Sequence, residues 1–321
     1  MPKNYARHCG SFRRHGFCIE EDVFWFRYLF CAATFVCFLG TSARAQSSQT
    51  GSFTEVPLAQ LTDRHLAPLG QAALGIRASE WKHAESTNFV YHYFHSYVAA
   101  PVSVEAEFYY RVIAAELTKD TAAWERKSHI FIFETVEEWA EFQKRAALDP
   151  WTGGVHAGGE LFIRRDPQFK FKDNTLGHEV AHLVVDRFFG SKVPLWLNEG
   201  FAEHISKRCY AAFQRARGYA ARPVTPALSA AQWIPFAELT GALAYPADPL
   251  RVAPFYHQSE RLTRFLSGID KAGFGIFFEA ISRGARVETA LVKGYGTRFS
   301  NLESLEREFR AGAFSDGTTA P

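Results

Sequence analysis

Cysteine is nearly missing from most of this chain: of five, Cys9, Cys18, Cys31 and Cys37 fall in the first 37 residues and only Cys209 follows. A single cysteine beyond the head excludes an internal disulfide framework there, so stability has to come from a packed core. Cys209 itself reads as a small buried hydrophobe rather than a nucleophile or metal ligand. Methionine occurs once, as Met1, so no internal residue offers a conventional later start. A dominant charge is missing too. The net charge of +2, from 36 basic and 34 acidic residues, argues against nucleic acid or an acidic partner. No apolar run is long enough for an unambiguous membrane span; the main one, Tyr28 to Gly40, has 13 residues, and extending it back to Val23 takes in Arg27.

A basic head, that apolar run, and Ala43-Arg44-Ala45 before Gln46 together predict a secretory signal peptide over residues 1–45, cut after Ala45. This puts the protein outside the cytoplasm, secreted or periplasmic, with a membrane involved only if the segment stays uncut as an anchor. Its removal would leave 30 basic against 31 acidic residues, a near-neutral chain. Cys37 follows Phe35-Val36 and lacks the small residues of a lipoprotein cleavage site, so lipidation is not expected. At 321 residues, 47% hydrophobic and 22% charged, the whole chain is composed like an ordinary globular protein, long enough for a sizeable core and one or two domains.

What the chain does have is a chemical signal between Asp173 and His204. Gly177-His178-Glu179-Val180-Ala181-His182 lies on a segment where Leu176, Val180, Leu183, Val184 and Phe188 recur at helical spacing, with Asp173 or Asn174 to cap its start and Gly190 to end it. Side chains four apart on a helix lie about 40° apart around the axis, so His178 and His182 can offer nitrogens to one ion. Glu179 falls on the same arc, close enough to act as general base toward a metal-bound water without ligating the metal. A catalytic zinc takes three protein ligands and keeps one position open, so a third is required. Glu199, in Trp196-Leu197-Asn198-Glu199-Gly200 beyond a turn at Gly190, Ser191 and Pro194, is the candidate, and Glu203 one turn later can accept a hydrogen bond from a ligand imidazole. With 12 His and 24 Glu in 321 residues, the His-Glu-x-x-His string arises by chance about 0.03 times, and the second segment strengthens it. The competing reading is two core histidines and a surface glutamate on an amphipathic helix.

These two segments resemble the gluzincin metallopeptidases, the thermolysin-like or peptidase MA-like superfamily, and Trp196 to Ala202 is similar to the third-ligand segment of the aminopeptidase N family. The resemblance implies one zinc ion on His178, His182 and Glu199, Glu179 as general base, Glu203 orienting a ligand histidine, and a peptide or protein substrate. It also implies a tyrosine or histidine from the helical half donating to the oxyanion; Tyr256 or His257, 57 and 58 residues beyond Glu199, can fill that place, as can the bland reading of a buried aromatic. No Gly-Ala-Met-Glu-Asn-type string is present, the element that anchors a free substrate amine in those aminopeptidases, so aminopeptidase action is not implied. Two rival functions use the same site: a non-catalytic metal-binding envelope protein, and a zinc amidase acting on cell-wall cross-links.

Around the site, Phe89 to His95 reads as a strand with His92 and His95 on opposite faces, an arrangement unable to chelate one ion. Val102 to Leu117 reads as a helix, Ser128 to Phe133 as a strand, and Thr135 to Ala147 as a helix opened by a capping box at Thr135 and Glu138. Trp151 to Ile163 is a glycine-rich turn entering a strand. By the resemblance Gly159 to Ile163 can pair with substrate backbone; a tight hairpin explains the same glycines. His156 can touch substrate or simply meet solvent. Arg222 to Asp248 reads as a long irregular segment, followed by short helices at Ser259 to Leu266, Phe274 to Ser282, Val287 to Val292 and Leu302 to Phe309. The expected fold is α+β, a small mixed sheet plus the metal-motif helix in the N-terminal half and a mainly helical C-terminal half. The expected division is 46–87 as linker and N-terminal extension, then a gluzincin-like domain over 88–321 with lobes at about 88–205 and 206–321.

Overall fold

Six strands form one mixed sheet in the order β1-β2-β3-β4-β6-β5: β1 (Thr54–Glu55), β2 (Lys82–Glu85), β3 (Phe89–Tyr93), β4 (Ser128–Phe133), β5 (Gly154–Ala157) and β6 (Glu160–Arg164). The computed structural model describes residues 53–123, 126–166, 174–190, 192–220, 229 and 232–313. The candidate signal peptide, its four cysteines and Asp173 lie outside the described residues. By contact the chain divides into 1–47 and 48–321, and all that follows concerns the second unit. The pairs β1/β2, β2/β3 and β5/β6 are antiparallel, whereas β3/β4 and β4/β6 are parallel.

Both faces of the central strands are covered, which is why β3 and β4 are wholly buried and read as nearly continuous apolar runs. Phe89, Tyr91, Tyr93, Ile130, Ile132, Leu161 and Ile163 face the larger core, with helices α2 (Ser96–Glu116) and α4 (Thr175–Phe189). Phe131, Phe133 and Phe162 face the other way, onto α1 (Pro68–Leu74) and α3 (Val136–Ala146). The capping box at Thr135 and Glu138 is formed. Beyond α4, the chain continues through α5 (Leu195–Ala216), α6 (Phe236–Gly241), α7 (Pro249–Ile269), α8 (Lys271–Ser282), α9 (Val287–Tyr295) and α10 (Leu302–Ala313). The fold is therefore α+β, with a mixed sheet in the N-terminal half and helices in the C-terminal half. Among the described residues no helix is long and apolar enough to cross a membrane.

Several elements differ from expectation. β1, α1 and β2 lie in the stretch read as linker and extension, yet β1 and β2 are hydrogen-bonded strands of the sheet and Ala73 of α1 is fully buried. Helix α2 starts at Ser96, ahead of Pro101; the proline removes one bond, to the carbonyl of Tyr97, whose exposed position lets water replace it. Strand β6 is interior, bonded to β4 and β5, so it has no free edge for substrate and the proposed pairing at Gly159 to Ile163 is excluded; the edge strand is β5. The glycines serve the hairpin instead: Gly158 and Gly159 have φ of +62° and +81°, which a two-residue turn of this hand needs. Asn174 stands at the N-cap of α4 but its side chain does not cap; Nδ2 donates to Ser206 Oγ at 2.6 Å. Helix α7 runs back to Pro249, started by Asp248 accepting from the Leu250 amide at 2.9 Å.

Two packing details are open to test. Gly200 lies where α5 meets α7; a Cβ there would stand 2.5 Å from Thr263 Oγ1 and closer still to the Ser259 carbonyl. Gly200→Ala is expected to cost about 1–3 kcal/mol by forcing the helices apart, measured by thermal or denaturant unfolding. Glu160, 2% exposed, accepts the Ala67 amide proton at 2.6 Å, and burial raises its pKa from 4.5 to about 7. Between those values the folded state holds more protons than the unfolded, so stability falls as pH rises and the loss is complete above about 7. Glu160→Gln removes that fall. The variant should gain on wild type between pH 5 and pH 8, by on the order of 2–3 kcal/mol in denaturant unfolding.

Candidate metal centre

Helix α4 buries Leu176, Val180, Ala181, Leu183, Val184 and Val185, which turns His178 and His182 together toward a cleft on its other side. Helix α5 buries Trp196, Leu197, Phe201 and Ile205 and packs against α4, which brings Glu199 opposite the two imidazoles. Three atoms converge: His178 Nε2 and His182 Nε2 are 3.0 Å apart, and Glu199 Oε2 lies 3.3 Å from the first and 3.5 Å from the second. Together His178, His182 and Glu199 form a group able to hold a metal ion.

The outward-facing atoms explain the orientation of the inward ones. His178 Nδ1 faces Glu203 Oε1 at 3.3 Å, and Glu203 Oε2 pairs with Lys207 Nζ at 2.7 Å. His182 Nδ1 faces Asn198 Oδ1 at 3.1 Å. Both partners are acceptors, so each Nδ1 carries a proton and, in the neutral ring, each Nε2 turns a lone pair inward. Glu199 Oε1 accepts from the Tyr245 hydroxyl at 2.6 Å, while Oε2 is buried and accepts no hydrogen bond among the described residues. Two imidazole nitrogens and a buried carboxylate oxygen converging on one point form a donor set that suits a cation between them.

The carboxylates draw positive charge to this point, either as protons on the imidazoles or as a cation between them. Burial would raise the Glu199 carboxyl, but His182 and His178 outweigh it and hold it well below the usual range. Glu203 behaves likewise, brought down to about 2 against its burial by His178 and Lys207. Burial disfavours a charged His178, yet Glu199 and Glu203 prevail and raise its pKa well above the ordinary value. Glu179 differs: burial raises its carboxyl, with the histidines opposing, and it accepts the backbone proton of His156. Gly154 of β5 lets the edge strand come this close, since a Cβ there would be 2.9 Å from Glu179 Oε1 and 2.7 Å from Thr175 Cγ2.

The cleft has a volume of about 590 Å³ and is walled by β5, the loop at Trp151, Tyr245 and Tyr256. A larger cavity of about 1020 Å³, between the end of α2, Phe189 and α8, lies away from these groups. Tyr256 reaches the cleft from α7, its ring 6.4 Å from that of His178; His257 is not among the lining residues. His156 lies on β5 rather than in a loop, and its buried Nε2 has no hydrogen bond among the described residues; burial, then His182 and Arg187, lower its pKa to about 4. His92 and His95 share no site. His92 lies in a buried row on the far sheet face, Nδ1 2.8 Å from His83 Nδ1 and Nε2 2.9 Å from His129 Nδ1, whereas His95 Nδ1 meets Glu134 at 2.6 Å.

Sequence reasoning assigned no role to Asn198 or Tyr245. Asn198 was within reach, since it precedes Glu199 and faces the same helix; Tyr245 sits in an irregular stretch whose direction no periodicity gives. No protein-family model matches the chain, and no curated protein matches it. Glu203→Ala and Asn198→Ala should each weaken divalent-ion binding by about 10–100-fold in a chelator competition, because each frees one ligand imidazole to turn.

Proposed function

We propose that this protein is a zinc-dependent peptidase of the gluzincin type, acting outside the cytoplasm. The observation that carries the reading is the donor triangle of 3.0, 3.3 and 3.5 Å beside a buried carboxylate. Tetrahedral zinc with bonds near 2.0–2.1 Å requires ligand atoms about 3.3 Å apart, and two histidines with one glutamate is a catalytic donor set that leaves a fourth position open. Zinc bound there would supply a Lewis acid that acidifies a water and polarises a carbonyl.

The chain's own residues do the rest. Glu179, buried and raised in pKa, takes a proton from the attacking water at its carboxylate and returns it to the departing amine. Tyr256, whose hydroxyl burial keeps protonated at neutral pH, donates to the oxygen on which negative charge develops. A peptide is favoured as substrate because β5 is an outer strand of the sheet and lines the cleft at Gly154, Val155 and His156, so an extended backbone can lie along it.

Purified protein is expected to hold one zinc by elemental analysis, with Glu199→Gln weakening its retention. Glu179→Ala should keep the zinc and lower turnover at least about 100-fold in a peptide-library digest followed by mass spectrometry, and chelator should abolish it. A zinc-loaded protein that cuts no peptide would refute the activity. Loss of zinc in Glu179→Ala would refute the role given to that residue.

A further inference from the structure

Tyr245 lies in the irregular stretch between α6 and α7 with 43% of its surface exposed, yet its hydroxyl reaches inward to donate to Glu199 Oε1 at 2.6 Å. The ring is held on two sides. It stacks on Tyr256 with centroids 5.8 Å apart and planes at 18°, and meets Phe255 edge-on at 6.3 Å and 85°. The two oxygens of Glu199 are thereby given different work: Oε2 faces both imidazole nitrogens and Oε1 is occupied by a phenol.

A carboxylate can bind a metal through one oxygen or through both. Binding through both would take up the coordination position that a catalytic ion keeps open. A short hydrogen bond to Oε1 opposes that, because turning Oε1 toward the ion would break it and leave the phenol without its acceptor. A phenol keeps its proton at neutral pH and so serves Oε1 as a donor. We propose that Tyr245 is a positioning residue that holds Glu199 to coordination through Oε2 alone and so keeps one position of the metal free. This rests on the metal-site reading above. It also divides the two stacked tyrosines, Tyr245 serving the ligand and Tyr256 the substrate.

Tyr245→Phe removes only the hydroxyl and retains the ring and its stack, so a merely structural role predicts no change. The test compares wild type and variant by zinc affinity in chelator competition and by the visible absorption of the Co2+-loaded protein, whose intensity falls as coordination rises from four to five. The variant should fold as wild type does by circular dichroism, bind zinc about tenfold more weakly, and lose Co2+ band intensity. Bands of unchanged intensity overturn the proposal, whatever the affinity does. A wild-type chain that takes up neither metal fails the metal reading and this role with it. A wild type that binds metal but cuts no peptide fails the peptidase reading alone and leaves the Co2+ comparison decisive.

Discussion

The candidate metal centre depends on how closely α5 approaches its two neighbours. Glu199 can reach the imidazoles only because small residues flank the ligands on both helices. Gly177, immediately before His178, faces Ser206, where a Cβ would come within 3.3 Å of the serine's own; Gly200, immediately after Glu199, faces the backbone of α7. A larger residue at either position would displace a ligand helix as a rigid body, and a displacement of about 1 Å is enough to spoil a convergent donor set. Trp196, Leu197, Phe201 and Ile205, all buried, supply the hydrophobic contact that holds the helices together once they are this near.

Charge is the second constraint. Glu179, Glu199 and Glu203 crowd around two imidazoles, and Lys207 offsets only the outermost carboxylate. Burying carboxylates without compensation is costly, so the site is tuned toward a positive charge at its centre. The hydrogen bonds from Tyr245 to Glu199, and those linking Glu203 to His178 and Asn198 to His182, fix which atom of each ligand is turned inward. In this way α5 contributes both a candidate ligand, Glu199, and the side chains that orient the two histidines of α4.

Much of this was legible because it is local. The i,i+4 spacing of His178 and His182, the arc shared with Glu179, and the turn between Glu199 and Glu203 follow from helix geometry alone. The strand at Ser128 to Phe133 and the capping box at Thr135 are local too, the first read from its run of aromatic and β-branched residues and the second from the Thr-x-x-Glu spacing. What escaped depends on contacts distant in sequence. β1 and β2 look unremarkable because their identity as strands comes from pairing with β3. β5 reads as a turn because its glycine is there to clear Glu179, not to bend the chain. Tyr245 follows a proline-rich stretch with no period, and only the packing of α7 on α5 brings it to Glu199. The assignment of the substrate strand to Gly159 to Ile163 failed for a related reason: sequence order does not reveal that β6 inserts between β4 and β5.

The row of His83, His92 and His129 has an ordering property of its own. Each neutral imidazole has one proton to give and one lone pair to receive with, and His92 uses both of its nitrogens within the row. His129 Nε2 faces the Asp63 carboxylate at 3.9 Å, beyond hydrogen-bond reach, but the negative charge there favours the form protonated at that nitrogen. Its Nδ1 must then accept from His92 Nε2, which obliges His92 Nδ1 to accept from His83 Nδ1. One aspartate beside the sheet thus biases the hydrogen placement of three rings on three neighbouring strands, all toward the same direction.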